Sequence, residues 1–144
     1  MKVFVDTSVL VASLVQRHPH HARAMTVVHR VLRGTDRGHV AAHGLAETYA
    51  VLTSSPITPR VGPEAAAKLL RENVLANFRT AALSAREYER IVMKLADDGI
   101  AGGAVYDAIQ AECARKIAAD RIYTFNVGHF HRVAPALAAR ITAP

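Results

Sequence analysis

The chain has 144 residues, of which 51% are hydrophobic and 21% charged, a balance that supports one ordinary core and excludes a disordered chain. Its 18 Lys and Arg residues against 12 Asp and Glu residues give a formal net charge of +6, which favours a polyanionic partner but equally fits simple solubility. The single cysteine, Cys113, excludes an internal disulfide and gives no indication of secretion, and its apolar helical neighbours predict a core position.

The amino-terminal segment only weakly resembles a signal peptide. Lys2 precedes an apolar run, but Asp6 interrupts that run and no small-residue cleavage site follows it. Apolar runs stay shorter than the roughly 18 residues that a membrane helix needs. We therefore expect a soluble, cytoplasmic protein without a membrane span.

The first half of the chain alternates strand and helix signals. Short β-branched or aromatic runs predict strands, N-cap residues and Pro predict helix starts, and Gly and Pro predict breaks. In chain order, the predicted elements are a strand at Val3–Val5, a helix at Val9–Val15 capped by Asp6, a helix after Pro19 with Val27, Val28, Val31 and Leu32 inside, a break at Gly34–Gly38, a strand at Val40–Ala42, a helix at Gly44–Thr53 and a loop with Pro56, Pro59, Arg60 and Gly62.

The second half repeats the alternation. Ser84 and Glu87 have the spacing of a capping box, which predicts a helix start at that point. The predicted elements are a helix from Pro63 to Ala76, a strand at Phe78–Leu83, a helix from Ser84 to Asp98, a helix at Ala104–Ala118, a strand at Ile122–Phe125 and a short edge strand at Arg140–Thr142.

This alternation predicts the fold class. Strands separated by helices favour an α/β architecture, a mostly parallel sheet covered by helices on both faces. The chain shows no repeat, low-complexity tract or linker, so residues 1–144 are predicted to form a single domain.

Polar residues follow three of the predicted elements at corresponding points. Asp6 comes directly after the first strand, Glu47 soon after the second, and Asn126 after the late strand, which the helix bearing Asp107 precedes. Ligands of open parallel sheets bind beyond the carboxyl ends of the strands. We therefore expect these side chains to share one rim of the sheet.

The three acids have no Lys or Arg one helical turn away to pair with. Carboxylates gathered at one rim repel each other by roughly 4 kcal/mol per close pair at a protein-like dielectric. A divalent cation resolves that conflict, and oxygen ligands alone suit Mg²⁺ or Mn²⁺ rather than zinc. Taken singly, Asp6 also fits an ordinary N-cap, Glu47 and Asp107 solvated helix residues, and Asn126 a turn residue.

Four segments in order resemble the motifs of PIN-domain nucleases. They are Phe4–Leu10, Ala46–Tyr49, Gly102–Ala108 and Thr124–Phe130, the last carrying Asn126 where many relatives carry Asp. The resemblance covers essentially the whole chain. The size and single-domain layout of the chain are similar to those of the VapC toxins of bacterial VapBC toxin–antitoxin pairs.

The resemblance implies a three-layer α/β/α PIN-like fold and a Mg²⁺- or Mn²⁺-dependent endoribonuclease. It also implies a homodimer and a cognate VapB-type antitoxin. Carried over by position, Asp6, Glu47 and Asp107 form the acidic triad and the metal ligands, of which Asp6 and Asp107 are the principal ones. Asn126 belongs to the catalytic set, but as a neutral amide it does not decide between one bound metal ion and two. The residues that would support the site are Thr7, Ser8 and Thr124.

Several polar residues have open interpretations. Arg60 and Lys116 are candidates for contacts with the RNA backbone, although solvated charge explains them as well. The histidines at positions 18, 20 and 21 are expected at an exposed turn and helix start. His129 and His131 lack partners at zinc-like spacing, so no zinc site is predicted.

Two other functions compete with the nuclease. A phosphoryl-transfer enzyme of the haloacid dehalogenase kind needs a second Asp two residues after Asp6, and Ser8 occupies that position. A degenerate PIN fold that only binds RNA or protein is favoured by Asn126 but opposed by three intact acids.

Overall fold

A computed structural model describes residues 1–54, 56 and 60–144. One five-stranded sheet lies at its centre, with all four strand pairings parallel and the order β3-β2-β1-β4-β5. The strands are β1 (Lys2–Val5), β2 (Arg37–Ala41), β3 (Arg79–Ala81), β4 (Arg121–Tyr123) and β5 (Ile141–Thr142).

Helices connect the strands and cover both faces of the sheet. A π-helical segment at Leu70–Leu75 continues α4, and a 3-10 helix at Pro135–Arg140 precedes β5. The α-helices are α1 (Thr7–Leu14), α2 (His21–Leu32), α3 (Ala42–Ser54), α4 (Pro63–Leu69), α5 (Ala85–Asp97), α6 (Ala104–Lys116) and α7 (Val127–Val133).

Alternation along β1 explains the layers. Val3 and Val5 pack with the buried residues of α1 and α2 on one face, whereas Phe4 packs with the buried residues of α6 and with Phe130 of α7 on the other. Successive side chains of a strand point to opposite faces, so a strand buried on both sides reads as a continuous apolar run. The predicted α/β/α layering is confirmed, and the sheet is wholly parallel.

Local signals place several helix ends where the sequence predicts them. Asp6 caps α1, accepting a hydrogen bond from the Ser8 backbone N–H. Ser84 and Glu87 form the predicted capping box of α5. Helix α5 ends at Asp97, next to the predicted stop at Asp98.

Cys113, on α6, is buried as the sequence predicts. The burial of Cys113 raises the pKa of its thiol to about 11.

Other boundaries differ from the prediction. Helix α2 begins at His21 rather than at Pro19, and its last residue, Leu32, is 49% exposed instead of inside. The predicted break at Gly34–Gly38 is wrong at its end, because β2 begins at Arg37 and contains Gly38. A Cβ at Gly38 would lie 2.5 Å from a ring carbon of Phe78, so this glycine permits close packing within the strand.

The remaining strands are shorter than predicted. Strand β3 is limited to Arg79–Ala81 and β4 to Arg121–Tyr123, so Thr124 and Phe125 lie just beyond the strand end.

The predicted loop is described at Pro56 and from Arg60 onwards, and Pro59 lies outside the described residues. Within the described part of the chain, no helix is both long and apolar enough to cross a membrane.

Candidate active site

The sheet topology creates a crevice between β1 and β4. From the central strand β1, the chain continues to β2 and β3 on one side, and β4 and β5 lie on the other. Parallel sheets bind ligands at such a reversal of strand order, beyond the carboxyl ends. Asp6 follows β1 and Thr124 follows β4 at this crevice, with Val5 paired to Tyr123 beside them.

Asp6 is buried at the bottom of the crevice, with 3% of its surface exposed. Its Oδ2 accepts hydrogen bonds from the Ser8 hydroxyl at 2.7 Å, the Thr124 hydroxyl at 2.8 Å and the Ser8 backbone N–H at 3.3 Å. Among the described residues, none donates to Oδ1. Burial raises the pKa of Asp6, and the hydrogen bonds from Ser8 and Thr124 oppose that rise.

Glu47, on α3, is held through one of its two carboxylate oxygens. Oε2 accepts hydrogen bonds from the Thr7 hydroxyl at 2.9 Å and from Gln110 Nε2 at 2.8 Å. Gln110 Nε2 also donates to Thr7 Oγ1 at 2.7 Å, which closes a three-membered ring of hydrogen bonds. The other oxygen, Oε1, lies 3.8 Å from His43 Nε2.

Gln110 was not predicted as a site residue, yet its side chain joins α6 to α1 and α3. It is 2% exposed, and its Oε1 is buried without a partner among the described residues. A Cβ at Gly44 would lie 3.0 Å from Gln110 Nε2 and 3.3 Å from Thr7 Oγ1. Gly44 therefore leaves the space in which the amide reaches Glu47.

Asp107 lies in the first turn of α6, within the electrostatic range of the other two acids. Burial raises the pKa of Asp107, and the charges of Asp6 and Glu47 raise it further, against the opposing effect of His129. The distance from Asp107 Oδ2 to His129 Nδ1 is 3.7 Å. The structure thus places the three predicted acids together in one repulsive cluster.

The acids line a cleft of about 600 Å³. Thr7 and Ser8 contribute to its walls as predicted, and Thr124 lies behind them through its hydrogen bond to Asp6. The full lining is Asp6, Thr7, Ser8, Val11, His18, Pro19, His20, Glu47, Val51, Tyr106, Asp107, Gln110, Phe125 and Asn126.

The acids and hydroxyls of this cleft offer oxygen donors, and His18 and His20 add ring nitrogens to its lining. Across residues 1–54, 56 and 60–144, no three His, Cys, Asp or Glu side chains are placed to hold one metal ion together. Nevertheless, burial raises the pKa of Asp107 and the charges of Asp6 and Glu47 raise it further, and a hard cation relieves the repulsion among these carboxylates. Asp6, with Oδ1 free of hydrogen bonds from the described residues, and Asp107 fit such an ion, whereas Glu47 is occupied through Oε2.

Besides Gln110, the sequence interpretation missed the histidines that lie beside the acids. That interpretation considered only Lys and Arg as partners of the acids, although His43 lies one helical turn before Glu47 and was detectable by that spacing. His43 also stacks on Tyr106, with ring centroids 5.2 Å apart. The contact of His129 with Asp107 joins two helices and has no signal in the local sequence.

The three histidines lie at the predicted turn and helix start, where His20 is exposed as expected, whereas His18 and His21 are half-buried. His18 and His20 line the cleft, and the ring of His20 stacks on Phe125 at 4.6 Å. His21 instead bonds through Nδ1 to the carbonyl oxygen of Ala12 at 2.9 Å. Tertiary packing, which brings the turn against Phe125 after β4, determines this position.

The remaining predicted residues differ in their positions. Asn126 is exposed at the cleft, directly before the first residue of α7, and its backbone N–H donates to Thr124 Oγ1 at 2.9 Å. Lys116 is outside the cleft lining, donating to Glu87 Oε2 at 2.8 Å and to the Ala82 carbonyl at 2.9 Å. Arg60 is exposed and also outside the lining.

Comparison with known proteins identifies the family, because a family model described as the PIN domain matches residues 3–135. The chain belongs to the PIN-domain family. Among its curated PIN relatives, Ribonuclease VapC27 of Mycobacterium tuberculosis is 41% identical over 111 residues, covering 76% of this chain and 74% of the relative. Ribonuclease VapC40 of the same species is 36% identical over 104 residues, or 72% of each chain.

Solved structures agree with the PIN fold. Mycobacterium tuberculosis VapC20, a toxin that cleaves the sarcin-ricin loop, superposes with a TM-score of 0.67 at 21% identity, covering 89% of this chain and 92% of VapC20. The VapBC2 structure from Rickettsia felis, bound to a DNA fragment from its promoter, gives a TM-score of 0.65 at 20% identity, with 92% and 93% coverage. At these identities the structures show the fold alone, and the predicted PIN-like architecture is confirmed.

Proposed function

We propose that this PIN-domain protein is a VapC-type toxin, an endoribonuclease that hydrolyses RNA phosphodiester bonds at the cleft around Asp6, Glu47 and Asp107. The observation that carries the proposal is the gathering of three carboxylates in the lining of one cleft. Burial, and then the charges of Asp6 and Glu47, raise the pKa of Asp107 there. The names of the curated relatives, both ribonucleases, support the same activity. The excess of positive charge over the whole chain favours a polyanionic substrate.

Asp6 and Asp107 are the residues that would hold a Mg²⁺ or Mn²⁺ ion. When bound, such an ion lowers the pKa of a coordinated water and neutralises charge on phosphate oxygens. Asp6 suits ligation because its hydrogen bonds from Ser8 and Thr124 all reach Oδ2 and fix the orientation of the carboxylate. The hydroxyls of Ser8 and Thr124 therefore act as supporting residues.

Glu47 would accept a proton from the attacking water. Thr7 and Gln110 donate to Oε2 and thereby fix the carboxylate, while Oε1 receives no hydrogen bond from the described residues. A fixed base within reach of the reacting atoms contributes by orientation as well as by proton transfer. Asn126, which is neutral, can orient a ligand at the cleft but adds no charge to it.

A VapB-type antitoxin is the proposed protein partner. The similarity to the Rickettsia felis structure, which is a VapBC2 assembly, supports the pairing. The acidic cleft favours a partner segment whose Arg or Lys side chain lies between the carboxylates. A complex in which the partner leaves the cleft open and RNA cleavage continues would contradict this. The homodimer remains a prediction that light scattering on the purified chain can test.

The cleavage assay tests the proposal. Purified protein should cut structured RNA at a few positions, leave 5′-phosphate and 3′-hydroxyl ends, and stop when EDTA is added. Asp107→Ala should remove most activity while its circular dichroism spectrum matches that of the wild type. RNA binding without cleavage in every metal condition would instead support a degenerate, binding-only PIN fold. Mapping 5′ ends of cellular RNA after brief induction would identify the target.

A further inference from the structure

Asp107 lies on the wall between two concavities. One is the acidic cleft, and the other is a second depression of about 380 Å³ between the start of α6 and one face of α7, which we call the α7 concavity. Its lining consists of Ala101, Gly103, Ala104, Asp107, His129 and Arg132. A strand of RNA held at Asp107 therefore has a second, adjoining surface on which to continue.

The α7 concavity presents basic side chains beside the acid cluster. His129 and Arg132 are three residues apart on α7 and share a helix face. His129 Nδ1 lies 3.7 Å from Asp107 Oδ2. Arg132 is exposed, and among the described residues it makes no ion pair or hydrogen bond. Its guanidinium is thus available to a ligand, and its planar fork matches the oxygens of a phosphate group.

Among the described lining residues, the histidine side of the cleft contains no Arg or Lys. It contains His18 and His20, and burial together with the neighbouring histidines lowers the pKa of His18. Arg23 lies nearby over the ring of Phe125, but its guanidinium donates to the carbonyl oxygen of Pro144 at 2.9 and 3.2 Å. Among the described residues that line the cleft or the α7 concavity, the free guanidinium is therefore that of Arg132.

We propose that the α7 concavity binds the backbone phosphate of a nucleotide adjacent to the one cleaved, with Arg132 as its principal contact. The proposal rests on the proposed function, because it assigns a subsite to the RNA that the cleft would cut. RNA is favoured over an acidic protein segment since the concavity is continuous with the cleft at Asp107, and every nucleotide of a bound strand carries a phosphate. Such a contact positions the strand without reading its sequence.

The salt dependence of RNA binding tests this assignment. A Glu47→Gln background prevents cleavage, and the dissociation constant of a labelled single-stranded RNA of mixed sequence is measured over a series of salt concentrations. Arg132→Gln should lower the slope of log affinity against log salt by about 0.7, the value for one phosphate contact to a single strand. It should weaken binding by roughly two- to fivefold, as for an exposed ion pair. Arg132→Lys, which keeps the charge, should keep the slope.

Arg79→Gln is the matched control, because it removes the same charge from an exposed position on β3. That strand forms the edge of the sheet opposite to β5, which α7 contacts. For Arg79→Gln, the slope of log affinity against log salt should equal that of the Glu47→Gln background protein.

Four results would overturn the subsite: no binding of the RNA, an unchanged slope in Arg132→Gln, an equal fall in Arg79→Gln, or weakened binding of an acidic protein partner with RNA binding unaffected. Failure of the proposed function is separate, since it would appear as absence of cleavage by the wild-type chain.

Discussion

Two buried aspartates at opposite ends of the sheet have opposite electrostatic environments. Asp6, at the carboxyl end of β1, is 3% exposed, and Asp36, at the amino end of β2, is 4% exposed. Asp36 forms ion pairs with Arg30 Nε at 2.7 Å and with the Met1 amino group at 2.9 Å. Hydrogen bonds and charge from Arg30 lower the pKa of Asp36, whereas burial raises the pKa of Asp6.

The difference shows that burial of an acid does not by itself indicate function. Asp36 has cationic partners that compensate its desolvation, so its charge serves the fold. Asp6 is supported by hydroxyls and the Ser8 backbone N–H, and its charge acts on Asp107, another acid, whose pKa it helps to raise after burial. A buried carboxylate that has hydrogen-bond donors and an acidic neighbour is suited to binding a positively charged ligand.

The largest expected effect concerns catalysis. Asp107→Ala should lower the rate of RNA cleavage by about 100-fold or more, as losses of electrostatic groups in active sites do. Combining it with Asp6→Ala and Glu47→Ala should add little, because a site that acts as a unit is lost with its first essential member. Asp36→Asn, measured under folding conditions, should retain near wild-type rates. Full activity in a folded Asp107→Ala chain would contradict the assignment.

The next effect concerns the free energy of unfolding, for which we expect substitution of Asp36 to matter and substitution of Asp107 not to matter. Asp36→Asn should lower the free energy of unfolding by about 1–3 kcal/mol, since it leaves Arg30 without its partner but Arg30 is itself partly solvated. Asp107→Asn in metal-free protein should not destabilise the fold, because it removes repulsion. Urea unfolding of the two variants against the wild type measures both. A large loss of stability in Asp107→Asn would make that residue a structural hydrogen-bonding centre instead.

The stability difference between wild type and Asp36→Asn should depend on pH in a defined direction. The pKa of Asp36 in the folded chain lies below its ordinary value of 3.8. The stabilisation is therefore fully present above that value and is lost as the pH falls through the lower, folded-state pKa. Unfolding curves at a series of acidic pH values should show the two proteins converging, and a difference that persists at the lowest pH would contradict the ion-pair account.

A smaller effect is expected for the residue that supports Glu47. Gln110→Leu should reduce kcat by about tenfold, within the range for residues that orient a site from behind, and should change KM little. The cause is loss of the hydrogen bonds to Glu47 and Thr7. Steady-state kinetics separates the two parameters, with Gln110→Glu as a control of similar shape. A change confined to KM would place Gln110 in RNA binding.

The smallest effect is expected at Asn126. Asn126→Ala should cost less activity than loss of any of the three acids, because an exposed neutral amide contributes little charge. Asn126→Asp should strengthen Mn²⁺ binding by adding a carboxylate at the cleft. Parallel cleavage and metal titrations measure both variants. A loss in Asn126→Ala as large as that in Asp107→Ala would give Asn126 an essential part.

The elements with strong local signals were predictable from the sequence. The apolar run of β1, the Asp6 cap and the Ser84–Glu87 capping box are decided by neighbouring residues, and the motif order placed the acids at one rim. The contact of Gln110 with Thr7 joins residues 103 positions apart, and that of His129 with Asp107 joins two helices. Such contacts depend on tertiary packing, which explains why Gln110 and the contact of His129 were missed. His43 is different, because its spacing from Glu47 is visible in the sequence and was overlooked.

We propose that the carboxylate of Asp6 binds a metal ion, whereas the carboxylate of Asp36 does not. Calorimetric titration of Mn²⁺ into the wild type, Asp6→Asn and Asp36→Asn tests it, with circular dichroism confirming that all three are folded. We expect the wild type and Asp36→Asn to bind with the same affinity and Asp6→Asn to bind much more weakly. Equal affinity in the wild type and Asp6→Asn, or no binding to the wild type, would contradict the account.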